Sequence, residues 1–318
     1  MNGTPTGTPN GTPTGTPNGT PTGTPNGAPI GTPTALRPDR LELGEGIRSV
    51  DGRVVLVDIL AGRLLDAPAD PAAPLRPLLQ LDVPLGAVAP VAGRPGGWIA
   101  AAGTGICLLG TARDGRLTWL ARPEDNAPAR MRMNDATADP HGRFWAGSMA
   151  YDAVAGAGSL YRVDPDGTVS TALTGLTVPN GPAFSADGSL MYLADSARGI
   201  VRRHPVDPAT GALGTPDIFA TFAEGSPDGM TVDAEGALWV AVWGTGTVHR
   251  YHPDGTRDRV LTLPARQPAG VCLHGNTLHI TTATVGLTDP GPYDGAVFTA
   301  HVDVPGPPTA AYRPAADA

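Results

Sequence analysis

Six similar strand-like runs, which begin roughly 40 to 48 residues apart, restrict the possible folds of this chain more than any other feature. Each run is apolar and follows a turn that usually contains glycine, such as Asp51-Gly52 or Asp187-Gly188. The runs are Val54–Ile59, Gly97–Gly103, Arg143–Met149, Leu190–Ser196, Leu238–Gly244 and Leu278–Ala283. Helical periodicity is nearly absent between them. A repeat of this length is typical of the blades of a β-propeller.

Each interval between runs has room for about four strands, as a four-stranded blade requires. After Arg143–Met149, for example, come the strand-like pieces Ser159–Asp164, Val169–Leu173 and Pro182–Ser185. A two-layer sandwich could use some of the same strands, but it would not explain a unit repeated six times. The sequence therefore predicts an all-β fold, a six-bladed β-propeller. The tryptophans within the runs, Trp145, Trp239 and Trp243, are expected in the blade core.

The N-terminal segment has a different composition from the rest of the chain. From Met1 to about Thr34 it repeats Gly, Thr, Pro and Asn in units such as GTPTGTPN. Such a segment cannot bury enough apolar surface to offset its ordering entropy. We therefore expect residues 1–36 to form a disordered extension and residues 37–318 to form the propeller domain.

The charge and hydropathy of the chain exclude several kinds of partner. The formal net charge is -8, and the chain has no lysine, so no basic stripe is available for a nucleic acid. No apolar run is long enough to span a membrane. The N-terminus lacks the charged and apolar regions of a signal peptide. We expect a cytoplasmic protein, a monomer or weak oligomer, that acts on a small molecule.

Polar residues occupy equivalent positions in four of the six units. Asn134, Asn180 and Asp228 each lie eight residues before a turn glycine, and Glu45 lies seven residues before one. In a propeller the strand that leads into this turn lines the central channel, so the four side chains should converge at one end of it. Carboxylate and amide oxygens are hard donors that suit Ca²⁺, Mg²⁺ or Mn²⁺. The alignment thus predicts a site for one divalent cation.

An alternative interpretation of two of these positions is an ordinary hairpin turn. Asn180-Gly181 and Asp228-Gly229 are both dipeptides that favour such turns. A second turn glycine follows each of them within eight residues, which leaves space for only a short strand between two hairpins. A loop that enters the inner strand of a blade fits this spacing better.

Four stretches of the chain resemble motifs of the gluconolactonase, regucalcin and luciferin-regenerating enzyme family, between Leu41 and about Ala283. They are LELGEGIRSVDGRVVLVDILAGRL, RMRMNDATADPHGRFWAGSM, VPNGPAFS and SPDGMTVDAEGALWVAVWG. The resemblance implies a six-bladed propeller with one divalent metal that hydrolyses sugar lactones. Ile47 and the pair Arg48-Ser49 replace the Pro and Trp usual after GEG, and Ala136 replaces the glycine of NDG.

The same resemblance assigns roles to individual residues. It implies that Glu45, Asn180 and Asp228 are metal ligands and that Asp228 is also the general base. Arg132 and Asn134 would bind the substrate. Asp152 lies where some sugar-lactone hydrolases have a glutamate that contacts substrate hydroxyls.

These residues predict a metal-dependent hydrolase that opens a sugar lactone or a similar small ester. The cation, Ca²⁺ first and Mg²⁺, Mn²⁺ or Zn²⁺ as alternatives, would polarise the carbonyl and activate a water molecule. Two other functions remain open, namely the same site acting on a phosphotriester and a Ca²⁺-binding propeller module without turnover. Arg132 argues against the module, because a structural ion needs no substrate-facing cation. Specificity is expected in the loops at residues 86–94 and 284–294.

Overall fold

Six antiparallel sheets surround a central channel in the computed structural model, which describes residues 31–110 and 117–315. In each sheet, or blade, the strands follow one another outward from the channel in the order of the chain. The prediction of a six-bladed β-propeller is confirmed. None of the helices among the described residues has the length and apolar character needed to cross a membrane.

The strands are numbered in chain order and the blades likewise. Blades 1 and 2 consist of β1 (Gly44–Val50), β2 (Arg53–Asp58), β3 (Arg63–Ala67), β4 (Arg76–Gln80), β5 (Leu85–Pro90), β6 (Trp98–Ala102), β7 (Gly105–Leu109) and β8 (Leu117–Ala121). Blades 3 and 4 consist of β9 (Met131–Ala138), β10 (Phe144–Ala150), β11 (Gly158–Val163), β12 (Val169–Leu176), β13 (Pro179–Phe184), β14 (Leu190–Asp195), β15 (Ile200–Pro205) and β16 (Asp217–Thr221). Blades 5 and 6 consist of β17 (Ser226–Val232), β18 (Leu238–Trp243), β19 (Thr247–Tyr251), β20 (Arg257–Thr262), β21 (Pro268–His274), β22 (Thr277–Thr282) and β23 (Val297–His301). A single turn of 3₁₀-helix (Ser196–Arg198) follows β14.

The six apolar runs of the sequence form the second strand of each blade. These strands are buried almost throughout, because each blade packs between two neighbouring blades and leaves neither face of this strand in water. Burial on both faces explains why the runs are nearly continuous in apolar residues. In blades 3 and 5, Trp145 and Trp239 donate their indole N–H groups to Asp139 and Asp233 of the preceding turn, each at 3.0 Å.

Residues from the N-terminal side complete the last blade. Thr34 forms an antiparallel bridge with Thr299 of β23, through backbone hydrogen bonds of 2.9 and 2.8 Å. The backbone N–H of Gly31 also donates to the carbonyl of His301 at 3.0 Å. Gly31 and Thr34, which the sequence assigned to the extension, therefore pair with the last strand of blade 6. The predicted extension otherwise falls on residues 1–30, outside the described residues.

The C-terminal segment, residues 305–315, crosses the end of the propeller where the first and second strands turn. Backbone hydrogen bonds join it to the turns of several blades, at Ala234, Ala92 and Gly142. Tyr312 is its anchor, since its side chain is only 2% exposed and its hydroxyl donates to the carbonyl of Asp164 at 3.1 Å. The segment, which follows blade 6 in the chain, thus contacts blades 5, 2 and 3.

Replacing Tyr312 with Ala is expected to lower the free energy of unfolding by about 3–5 kcal/mol, because a buried aromatic ring is replaced by a cavity. Urea denaturation followed by tryptophan fluorescence measures the loss. Tyr312→Phe is the matched control, which keeps the ring, loses one hydrogen bond and should cost about 1 kcal/mol. Equal losses in the two variants would contradict the assignment of the ring as the anchor.

Candidate active site

The inner strands of four blades bring five of the six sequence-predicted side chains to one end of the channel. Glu45 lies on β1, Arg132 and Asn134 on β9, Asn180 on β13 and Asp228 on β17. All five are buried, with 4 to 8% of each residue exposed. They line one cavity of about 420 Å³, a size that suits a small-molecule ligand. This end of the channel is called the mouth below.

Irregular pairing in the inner strands directs these side chains toward the channel. The register between first and second strands shifts beside each of them, between Glu45 and Arg48 in blade 1 and between Asn180 and Ala183 in blade 4. Such bulges redirect side chains and are common next to functional sites. Asn180-Gly181 and Asp228-Gly229 lie inside β13 and β17, so the alternative that they form hairpin turns is wrong.

A chain of hydrogen bonds connects blades 3, 4 and 5 beneath the mouth. Arg132 Nη1 donates to Asn134 Oδ1 at 2.6 Å, and Asn134 Nδ2 donates to Asn180 Oδ1 at 2.8 Å. Asn180 Nδ2 then donates to Ser196 Oγ at 3.0 Å, and this hydroxyl donates to the carbonyl of Pro227 at 2.6 Å. The chain fixes both amide groups, and one lone pair of Asn180 Oδ1 stays free for another partner.

The two carboxyl groups of the site have oxygens without a partner. In the described part of the chain, Glu45 Oε2 and Asp228 Oδ1 are buried and lack a hydrogen bond. Burial, and next the charge of Asp135, raises the pKa of Glu45 to about 8. Burial, and next the charge of Glu45, raises the pKa of Asp228 well above its ordinary value. Arg132 counteracts both shifts only in part.

These residues fit a divalent cation. Two buried carboxylates that face each other repel unless a cation or a proton neutralises them. Glu45, Asp228 and the amide oxygen of Asn180 form a hard donor set of the kind that Ca²⁺ prefers. Among residues 31–110 and 117–315, no group of three His, Cys, Asp or Glu side chains is arranged to hold a metal ion.

The wall of the cavity includes residues that the sequence analysis did not place in the site. Leu60, Tyr151, Ser196 and Trp243 all lie at or just beyond the end of a second strand. The guanidinium of Arg130 lies 4.3 Å from the centroid of the Tyr151 ring, on the rim. These residues could have been predicted from the sequence, because they lie at or just after the end of the repeated apolar runs. Trp243 lines the mouth and is only partly buried, in contrast to the expectation for the blade core.

Asp152 and one of the two expected specificity loops lie away from the cavity. Asp152 is exposed and is not one of the lining residues, although Tyr151 before it and Ala153 after it are. Residues 86–90 belong to β5, and none of residues 86–94 lines the cavity. The loop at residues 284–294 contributes Val285.

The comparison with protein families decides which family these features represent. The sequence pattern of the SMP-30/Gluconolactonase/LRE-like region matches residues 43–284. The chain belongs to this family. The match includes all five clustered side chains and most strands of the propeller.

Relatives of this SMP-30/gluconolactonase family protein include named lactonases. A 6-deoxy-6-sulfogluconolactonase from Pseudomonas putida is 35% identical over 78% of this chain and 87% of the relative. The pentonolactonase XacC from Haloferax volcanii is 39% identical over 48% of this chain, and the matched segment spans only 53% of XacC. The structure of a calcium-binding regucalcin from Agrobacterium tumefaciens has a TM-score of 0.80 at 30% identity, covering 88% of this chain and 96% of that one. Lactone hydrolysis is therefore an activity of named members of the family.

Proposed function

We propose that the chain is a divalent-metal-dependent lactonase that opens sugar lactones, with Ca²⁺ as its preferred cation. The observation that carries the proposal is the pair of buried, unpartnered carboxyl oxygens of Glu45 and Asp228 beside Arg132 in the cavity. An ion with a purely structural role would not need the positively charged guanidinium of Arg132 beside it. The family resemblance, the named lactonases and the calcium-binding relative support the same conclusion.

The residues of the cavity would have the following roles in the reaction. Glu45, Asn180 and Asp228 would hold the cation, which supplies Lewis-acid polarisation of the carbonyl and acidifies a bound water. Asp228 would orient this water and accept its proton. Arg132 uses Nη1 for protein acceptors, so its remaining N–H groups would donate to the lactone carbonyl oxygen and stabilise the charge that develops there.

Asn134 has a narrower role than the sequence indicated. Its two amide hydrogens are used within the protein, one toward Asn180 Oδ1 at 2.8 Å and one toward the carbonyl of Pro179 at 2.9 Å. The amide can therefore not donate to a substrate without breaking these bonds. We infer that Asn134 accepts a hydrogen bond from a ring hydroxyl and holds Arg132 and Asn180 in place.

A pH-stat assay on a panel of aldonolactones, beginning with glucono-δ-lactone and xylonolactone, tests the proposed function. Chelator-stripped protein is expected to show only the spontaneous rate of ring opening, and added Ca²⁺, Mg²⁺, Mn²⁺ or Zn²⁺ should restore turnover, with Ca²⁺ the most effective. If the protein binds Ca²⁺ in calorimetry but no lactone is turned over, the substrate class is wrong and phosphotriesters are tested next. If no cation binds, the proposed metal site is overturned.

A further inference from the structure

A buried ion pair crosses the channel directly below the proposed metal site. Arg48 of β1 donates from Nη2 to Asp135 Oδ1 at 3.0 Å and to the carbonyl of Ala136 at 2.6 Å. Its Nη1 donates to the carbonyl of Ile47 at 2.8 Å. The side chains of Arg48 and Asp135 are only 12% and 3% exposed. The pair thus joins the inner strands of blades 1 and 3, with little of either side chain exposed.

Asp135 departs from the pattern of the other site strands. The residue after the polar side chain is Gly46 in blade 1, Gly181 in blade 4 and Gly229 in blade 5. An added Cβ at Gly181 or Gly229 would come within 2.7 or 2.6 Å of backbone atoms of the next inner strand, so these positions favour glycine. Blade 3 instead has a carboxylate there, and it needs a partner because a buried unpaired charge is costly.

The charges of Arg48 and Asp135 act on the site as well as contributing to packing. Three buried carboxyl groups, Glu45, Asp135 and Asp228, face two guanidinium groups, Arg132 and Arg48. Asp135 directly follows Asn134 in β9, and Asn134 Nδ2 lies 2.8 Å from Oδ1 of the proposed ligand Asn180. The charge of Asp135 therefore lies within electrostatic reach of any cation that the proposed ligands hold.

Arg48 lines a second cavity of the channel and is not among the residues that line the mouth cavity. This second cavity, of about 440 Å³, is also lined by Cys272 and residues 306–311 of the C-terminal segment. Glu45, which lines the mouth cavity, lies three residues before Arg48 in the same strand. The guanidinium therefore places a fixed positive charge in the channel below the proposed ligands.

We propose that Arg48 and Asp135 are a positioning pair that sets the charge, and through it the divalent-cation affinity, of the site above them. This inference rests on the proposed metal-dependent function. Asp135 attracts the cation and Arg48 repels it, and their contact holds both charges at a fixed place. Neither residue is expected to contact the cation or the substrate. Removing one partner should therefore shift the affinity in the opposite direction from removing the other.

Calcium titration calorimetry on the full chain tests the pair, with Arg48→Met, Asp135→Asn and the double variant. Asp135→Asn is expected to weaken Ca²⁺ binding about tenfold or more and Arg48→Met to tighten it by a similar factor, because each removes one charge from a poorly solvated site. The double variant should return to within about threefold of the native affinity, since the net charge is restored.

Two further measurements distinguish an effect of charge on Ca²⁺ affinity from an effect of the substitution on folding. Arg48→Lys keeps the charge and should leave the Ca²⁺ affinity within about threefold of native, whatever it costs in stability. Melting in EDTA and in Ca²⁺ should show that Ca²⁺ stabilises Arg48→Met more than the native protein. If both single variants weaken Ca²⁺ binding, or if the double variant is weaker than either, the pair is merely structural and the inference is overturned. Failure of the native chain to bind Ca²⁺ would overturn the proposed metal site as well, whereas calcium binding without lactone turnover would refute only the substrate class.

Discussion

Replacing Asp228 with Asn is expected to reduce kcat for lactone hydrolysis by about a thousandfold or more at saturating Ca²⁺, because the change removes both an anionic ligand and the proposed acceptor of the water proton. Asn has nearly the same shape, so the buried position remains filled. In EDTA the variant should be at least as stable as the native protein, since one of two buried carboxyl groups with unpartnered oxygens is gone. Steady-state kinetics, calcium calorimetry and urea denaturation together distinguish lost chemistry from lost folding.

Asp233→Asn is the matched control for this experiment. Asp233 lies in the same blade and is also buried, but it lies in the β17–β18 turn at the far end of the channel. It accepts hydrogen bonds from Trp239 Nε1 at 3.0 Å and from Arg250 Nε at 2.8 Å. This variant should lose stability but keep kcat within a few fold of native. If Asp228→Asn retains more than about a tenth of native kcat at saturating Ca²⁺, Asp228 has neither proposed role.

The fold could be predicted from the sequence because the second strand of each blade is repeated. Because both faces of this strand are buried in every blade, its apolar character recurs at a regular interval and identifies a propeller without further information. The pairing of the N-terminal residue Thr34 with the last blade could not be predicted in the same way. Thr34 joins β23 through backbone hydrogen bonds alone, so its side chain carries no sign of the pairing.

The clustered polar residues could be found from sequence for a similar reason. Glu45, Asn134, Asn180 and Asp228 occupy equivalent positions of inner strands, and equivalent positions in a ring face a common centre. The sequence does not specify how far each side chain reaches. Asp152, placed in the site by resemblance alone, is exposed and does not line the cavity.

The residues around the donors depend on contacts between distant blades. Arg48 and Asp135 are 87 positions apart and meet only because two inner strands face each other across the channel. Their contact depends on a bulge in β1 that begins after Glu45 and on the absence of a glycine after Asn134. Such geometry follows from how six blades close into a ring, which local sequence patterns do not encode.

In the metal-free protein the carboxyl groups of the site are expected to contribute a loss of about 2 kcal/mol of stability between pH 6.5 and 8, because a folded carboxyl group that holds its proton up to pH 8 binds more protons than the unfolded chain over this range. The pKa of Glu45 rises from 4.5 to about 8 on folding, and that of Asp228 rises as well. A raised carboxyl pKa contributes stability at low pH that is lost as the pH increases. Urea denaturation in EDTA at several pH values measures the slope.

Comparison with a variant that lacks both carboxyl groups separates their contribution from that of three histidines with lowered pKa. Burial lowers the pKa of His204, His249 and His279 to about 4, and their contribution raises stability with pH through their unfolded value of 6.5. At pH 6.5 they are still half protonated in the unfolded chain, so they add a rising contribution up to about pH 7.5 that the native protein and a variant without the two carboxyl groups share. Saturating Ca²⁺ should abolish the loss of stability, because the cation holds both carboxyl groups ionised, and the variant with Glu45→Gln and Asp228→Asn should lack it in EDTA too. If the stability of the metal-free native protein changes with pH from 6.5 to 8 in the same way as that of the double variant, the two carboxylates tolerate each other without a cation, which removes the physical reason for placing one there.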